Sequence, residues 1–343
     1  MPETTFQFIE CEGTPFEMGR QYGEKAREAI RTNIRWRQRE GDCRAEQKCV
    51  DTTRAFLSQH APEVLEELEG LAEGSDVPLK SLILENAVGT PMSAGCTSMA
   101  VSPGEEGSVL GKNNDGGLNE RCWVLRRTNP ARGLPLVQMV SAGWLSGLDA
   151  MNAAGLANGH NSVGSAFERV SPSIEIRLWM YHMMQHCSSV EELVEGLHSV
   201  PLNGKGFNIV VADANGSTRV LECAVPKVVE RGREDPFVYA TNHYMSEELA
   251  DMDGRTPGQK RVSSYRYGYL SWQNEMNRPT CEKDIRALLR SHEPWAPCRH
   301  GGAHKSHTLW SIVAVPEERR MEVAFGPPCT EDYDTYGGIS LLT

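Results

Sequence analysis

Residues 94–101 read AGCTSMAV and residues 110–116 read LGKNNDG. At Gly95 the texture of the chain changes from helical to strand-like, so the reading of these two stretches decides the fold. Cys96 stands at the change, with Gly95 before it and Thr97 and Ser98 after it. A glycine in that place matters chemistry-wise, because without a side chain its carbonyl can be approached by the thiol that follows. Its backbone also tolerates the strain of an N-to-S acyl shift. Gly-Cys-Thr alone is a common tripeptide. The second stretch adds to it, since two antiparallel strands joined by a short connection set Asn113, Asn114 and Asp115 beside Cys96. A carboxylate there can orient an amine or bind an amide leaving group. N-N-D-G is equally a turn sequence.

Upstream, Gly13 to Glu40 carries apolar or small residues (Phe16, Met18, Tyr22, Ala26, Ala29, Ile30, Ile34) at helical intervals and reads as one long amphipathic helix. Asp51 to Ala72 shows an apolar stripe of Phe56, Leu57, Val64, Leu65, Leu68 and Leu71 opposite four glutamates, and Pro62 suits the first turn of a second helix within it. PLKSLILENAVG gives a short helix ending near Gly89.

Downstream, CTSMAVS, SVLGKNND, WVLRRTN, LPLVQMVSAG and GLDAMNAAGLANGHNS alternate as strands between Gly and Asn turns. Helical signal returns from Glu175 to His198, where SSVEELVEGL carries a capping start. NIVVADANGSTRVLEC is a hairpin turning on Asn215-Gly216. A polar, Tyr-rich helix (RVSSYRYGYLSWQ) and KDIRALLRSH follow, then two strands, HTLWSIVAVPE and RRMEVAFG, joined by a Glu-Glu-Arg turn. Ser246 to Lys260, with Gly254, Pro257 and Gly258, reads as a surface loop. The order of elements predicts an α+β protein with two antiparallel sheets and helices outside, not a Rossmann or barrel fold.

A chain of 343 residues, 39% hydrophobic, has ample material for a core, and 35 basic against 46 acidic side chains argue against nucleic-acid or anionic-membrane partners. MPETTFQFIE has no basic or apolar leader character, and no window is apolar enough to span a bilayer, so a soluble, cytoplasmic protein is expected. The cysteines are scattered singly with no C-x-x-C pair, so reduced thiols are expected and a structural zinc or other metal is not.

Asn242 in FVYATNHYM and Asn161 in GLANGHNS are candidate oxyanion donors, because an amide donates without titrating; both are also turn formers. His243 reads as a surface histidine or, like His307, as the partner of Cys96 in a papain-like Cys-His pair. A non-catalytic binding module is a third reading. Trp144, Tyr244, Tyr265, Tyr267, Tyr269 and Trp272 offer an aromatic pocket or ordinary core packing.

Taken together, GTPFEMGRQYGE, ELEGLAEGSDV, AGCTSMAV, LGKNNDG, NAAGLANGHNS, EIRLWM, NIVVADANG, TNHYM, SSYRYGYL and HTLWSIVAVPEERRMEVAFGPP carry a family resemblance. The chain resembles the isopenicillin-N acyltransferase (acyl-coenzyme A:6-aminopenicillanic acid acyltransferase) family of N-terminal-nucleophile hydrolases, which includes β-alanyl amine hydrolases. The resemblance implies a four-layer αββα fold in one integrated domain. It also implies a precursor that cuts itself between Gly95 and Cys96 into a small helical chain (Met1 to Gly95) and a large chain (Cys96 to Thr343). Cys96 matches the nucleophile, Asp115 the acid of the following strand, and Asn242 the residue that polarises the scissile carbonyl. Choloylglycine and penicillin V acylases look similar around the nucleophile, and there Asn161 matches a second oxyanion contributor. Asn114, His243 and Thr308 remain oxyanion or substrate-binding candidates. Two departures stand out: Asn114 and Gly116 flank Asp115 where an aromatic is common, and for the family's late Arg KSHTLW offers only Lys305 and His307. The implied activity is cleavage of a linear amide, of the N-acyl amine or N-acyl amino acid type, through a thioester on Cys96. Transfer of the acyl group from a thioester or amide to an amine is the alternative. No cofactor is implied, the partner is a small molecule, and a homo-oligomer is allowed.

Overall fold

The computed structural model describes residues 5–37, 43–88, 95–102, 107–118, 121–165, 172–301 and 306–334. The chain opens with β1 (Thr5–Gly13), then α1 (Pro15–Lys25), α2 (Arg27–Arg37), α3 (Cys43–His60), α4 (Pro62–Ser75) and α5 (Leu79–Ala87). The strands β2 (Thr97–Val101), β3 (Val109–Gly116), β4 (Cys122–Pro130), β5 (Leu136–Ser141), β6 (Ala150–Asn152), β7 (Ala157–Ser162) and β8 (Ile174–Glu175) follow. After α6 (Ile176–Met184) and α7 (Val190–His198) come β9 (Leu202–Asn203), β10 (Phe207–Ala212), β11 (Thr218–Ala224), β12 (Lys227–Arg231) and β13 (Phe237–Ala240). The last elements are α8 (Pro257–Met276), α9 (Glu282–Arg290), β14 (His307–Val315) and β15 (Arg320–Ala324).

An eight-stranded sheet runs β1-β4-β5-β6-β7-β10-β11-β12, and a five-stranded sheet runs β13-β2-β3-β14-β15. Period-two alternation makes both faces of the smaller sheet apolar. On β2, Ala100 points into a core shared with Trp123, Leu125, Met139 and Val210 of the larger sheet. Its neighbours Met99 and Val101 point the other way, against Tyr269 and Leu270 of α8 and Ile285 and Leu289 of α9. The larger sheet buries its outer face against α1 to α7, through residues such as Met18, Leu57, Leu68, Val124, Val140 and Trp179. The result is the αββα layering. No described helix is long and apolar enough to cross a membrane.

Several local readings changed. The N-terminal segment up to Gly95 is not wholly helical: β1 pairs in parallel with β4, from Thr5 opposite Cys122 to Gly13 opposite Pro130. The single long helix is two, parted at Ala26, whose φ of -107° and ψ of 15° end α1 after a Thr14–Glu17 capping box has begun it. Pro62 does start a new helix, at N1 of α4. The short helix stops at Ala87, and Gly89 lies outside the described residues. Residues 246–260 are not simply surface: they hold a 3-10 turn with buried Leu249, then the Thr256–Gln259 capping box that opens α8.

The helices α1 and α4 touch backbone to backbone. A Cβ on Gly19 would fall 2.0 Å from the Glu67 carbonyl oxygen, and one on Gly70 would fall 2.0 Å from that of Phe16. A Cβ on Gly74 would fall 2.1 Å from the Arg20 carbonyl oxygen and one on Gly23 2.5 Å from the Ser75 nitrogen. Only glycine permits this approach.

Candidate active site

Antiparallel pairing of β2 with β3 sets Thr97 opposite Asn113, which leaves Cys96 beside Asn114 at the end of the ladder. The fully buried Cys96 thiol donates to Asn114 Oδ1 at 3.3 Å. Across β3 lies β14, with Thr308 in register with Asp115. Thr308 Oγ1 donates to Asp115 Oδ1 at 2.8 Å, and Arg299 Nε stands 3.4 Å from Asp115 Oδ2. The Gly95 N–H donates to the Asp115 carbonyl at 3.3 Å. Burial pushes the Asp115 carboxyl up to about 6, against the pull of Arg299 and Arg266. Thus the sequence-derived residues Gly95, Cys96, Asn114, Asp115 and Thr308 do meet.

At rest Gly95 adopts a conformation open to any residue. Its φ lies outside the left-handed region, and a methyl there would meet Ser306 Oγ at 3.5 Å and Asp115 Oδ2 at 3.6 Å, ordinary contact distances.

Asn242 lies just past β13 and reaches Cys96 through an arginine. Arg266 of α8 donates through Nη1 to the Cys96 carbonyl oxygen and to Thr97 Oγ1 at 2.9 Å, and through Nη2 to Asn242 Oδ1 at 2.7 Å. Burial, with Arg299 nearby, lowers the Arg266 guanidinium to about 9. Asn242 Nδ2 donates to the Ser162 carbonyl at 2.9 Å, and the Asn242 carbonyl accepts from Arg255 Nη1 at 3.1 Å. Arg255, Arg266 and Arg299 were all missed in the sequence. A signal existed for one of them: Ser263, Arg266 and Leu270 recur at helical spacing and are buried together on α8. Lys305, the other candidate for a late cation, lies outside the described residues.

His243 is held by other side chains. Its Nδ1 pairs with Ser263 Oγ at 2.7 Å and Thr241 Oγ1 at 3.2 Å, and burial beside Arg266 depresses it to about 4. Neither His243 nor His307 is hydrogen-bonded to Cys96 among the described residues, so the papain-like pair is not assembled. Asn161 Oδ1 accepts from Ser98 Oγ at 3.2 Å. The Nδ2 groups of Asn161 and Asn114 are buried without a hydrogen-bond acceptor, a state that costs about 1–3 kcal/mol each.

Two spaces reach the neighbours of Cys96, one at Asn114 and one at Gly95, without being lined by Cys96 itself. On the Asn114 side is a narrow cavity walled by Trp123, Met139, Trp144, Phe207 and Trp310, with Lys205 in its lining. Burial and Arg177 pull the Lys205 ammonium down to about 7, with Cys96 opposing. On the Gly95 side an open cleft of about 650 Å³ is lined by Arg255, Arg266, Arg299, Tyr265 and Trp295. Of the other aromatic candidates, Tyr244 bonds to the Cys223 carbonyl, Tyr269 to Ser291, Tyr267 packs on Tyr239, and Trp272 is half exposed.

A model of the family described as acyl-coenzyme A:6-aminopenicillanic acid acyl-transferase matches residues 102–329. Among solved structures, a mutant conjugated bile acid hydrolase from Clostridium perfringens is similar at 12% identity and a TM-score of 0.43, over 67% of this chain and 89% of that one. Penicillin V acylase from Agrobacterium tumefaciens is similar at 15% identity and a TM-score of 0.38, over 70% and 78%. The Caenorhabditis elegans ortholog of N-acylethanolamine-hydrolyzing acid amidase is similar at 14% identity and a TM-score of 0.43, over 65% and 93%.

Proposed function

We propose, for a chain that belongs to the acyl-coenzyme A:6-aminopenicillanic acid acyl-transferase family, that it is a self-processing cysteine amidohydrolase whose nucleophile is Cys96. The observation that carries this reading is a buried thiol directly after Gly95, with the Asp115 carboxyl at the same peptide bond.

In processing, the Cys96 thiol adds to the Gly95 carbonyl, the peptide C–N bond breaks, and a thioester with a free Cys96 amine results. Water then releases the Gly95 carboxylate and restores the thiol. Asp115 accepts or relays the protons that move, which its position beside Gly95 and its pKa of about 6 suit. The products are a small chain ending at Gly95 and a large chain beginning at Cys96.

In turnover, the new α-amine, with an ordinary pKa of ~7.7–8.0, takes the thiol proton. The thiolate attacks an amide carbonyl, and the oxyanion is met by amide donors. Asn242 keeps its second N–H for this, held in orientation by Arg266. The unpaired Nδ2 groups of Asn114 and Asn161 supply further donors that a substrate would satisfy. The amine leaves with a proton, and water cleaves the thioester. The arginine-lined cleft takes the amine side, and the tryptophan-walled cavity, of only about 20 Å³, would have to widen to take the acyl group. That cleft also has room for a second amine, which favours acyl transfer as a second reading of the same intermediate.

The test is mass spectrometry of purified protein. Wild type should give a chain beginning at Cys96, and Cys96→Ala a single uncut, inactive chain. An uncut wild type that hydrolyses amides would sink the proposal.

A further inference from the structure

The sequence argued against a metal because its cysteines form no C-x-x-C pair, yet folding brings four ligand-type side chains from separate segments to one point. His292 follows α9, Cys298 and His300 lie in the loop leading towards β14, and Cys329 follows β15. Their donor atoms all lie within 4.8 Å of one another. Cys298 Sγ is 3.6 Å from Cys329 Sγ and 3.6 Å from His300 Nε2. His300 Nε2 is 3.0 Å from Cys329 Sγ and 2.9 Å from His292 Nε2.

We propose that His292, Cys298, His300 and Cys329 form a tetrahedral site for zinc. Zinc bonds of ~2.3 Å to sulfur and ~2.0–2.1 Å to imidazole nitrogen give tetrahedral edges of roughly 3.8 Å (S to S), 3.5 Å (S to N) and 3.3 Å (N to N). Three of the four distances given fall short of these edges by a few tenths of an ångström, the Cys298–His300 distance matches its edge to about 0.1 Å, and the remaining two edges, from His292 to the sulfurs, are no longer than 4.8 Å, so an ion needs only a modest adjustment of the side chains. Two thiolates and two imidazoles suit zinc, and the oxygen donors that calcium or magnesium require are absent from the set. A disulfide would use only the two sulfurs and leave unexplained why both imidazoles direct Nε2 at the same spot. On binding, the two thiols release their protons.

The position gives the ion a structural task. Arg299 lies between the ligands Cys298 and His300, and its backbone is tied to Thr308 through N–H to Oγ1 at 3.0 Å and through its carbonyl to the Thr308 N–H at 3.0 Å. Thr308 and Arg299 are the two groups that hold Asp115. Zinc on either side of Arg299 pins the loop that presents them.

The full-length protein, made without a polyhistidine tag, should retain close to one zinc per chain after gel filtration, by elemental analysis. Growth with cobalt(II) in place of zinc should yield the visible ligand-field bands of a tetrahedral thiolate site. Those bands should persist in Cys96→Ala and vanish in Cys329→Ser. Because Cys329→Ser can misfold, the wild-type spectrum decides by itself. Protein that keeps no zinc and develops no cobalt bands, bands that depend on Cys96, or a Cys298–Cys329 disulfide found by alkylation and mass mapping would each overturn the site.

Discussion

The two outer helical layers close on their sheets by opposite means. Over the larger sheet, α1 and α4 meet through Gly19, Gly23, Gly70 and Gly74, with backbone against backbone. Over the smaller sheet, α8 sends the Arg266 guanidinium inward to the Cys96 carbonyl and to Asn242. The first contact is close-packed, backbone on backbone, and gains from dispersion. The second buries a cation that desolvation penalises, which the fold supports only through several hydrogen bonds. The first contact bears on stability, and the second lies beside the candidate nucleophile Cys96.

Substitutions can break or sharpen this contrast. The largest effect is expected of Gly70→Val, whose Cβ overlaps the Phe16 carbonyl. Forcing the helices apart should cost at least about 3 kcal/mol, read from the urea midpoint, while the folded fraction still cuts itself. If cutting fails in protein that is still folded, the contrast is wrong. Arg266→Met should do the reverse. Self-processing should slow about 100-fold, because Asn242 and the Cys96 carbonyl lose their common anchor, while stability falls by only about 1–3 kcal/mol. An unaltered cutting rate, timed by electrophoresis after refolding, would remove Arg266 from the site.

The pH dependence tests Asp115. With its carboxyl at about 6, the rate of cutting should fall about tenfold per pH unit below that value and level off above it. Asp115→Asn should be slow and lack this limb. The sign for stability is opposite: a pKa raised from 3.8 to about 6 by burial means that this group favours the fold in acid and ceases to as pH climbs through that window. Smallest of all, Gly95→Ala should change stability by no more than about 0.5 kcal/mol and leave cutting intact, since its methyl meets only ordinary contacts.

What the sequence revealed was local. Asn215-Gly216 does turn the β10–β11 hairpin, with Gly216 at φ 86°, Ser189 does cap α7, and the β2–β3 pairing does bring Asn114 to Cys96. What it hid depends on partners far along the chain. In β1 only Ile9 and Cys11 are buried, too few for alternation to show, and its pairing partner lies beyond five helices. Arg266 sits on a helix whose polar residues look solvated, and only the Thr241–Tyr244 turn and β2 beside it make that cation internal. The glycines of α1 and α4 are spaced four apart on each helix, yet that spacing gains meaning only once the two helices cross.

The parallel register of β1 along β4 has a consequence for a chain cut before Cys96. Its edge strand would then belong to a different polypeptide from the strand it adjoins, and melting would become a dissociation. The uncut form should melt at a temperature independent of how dilute it is, whereas the cut form, obeying mass action, should melt lower as it is diluted.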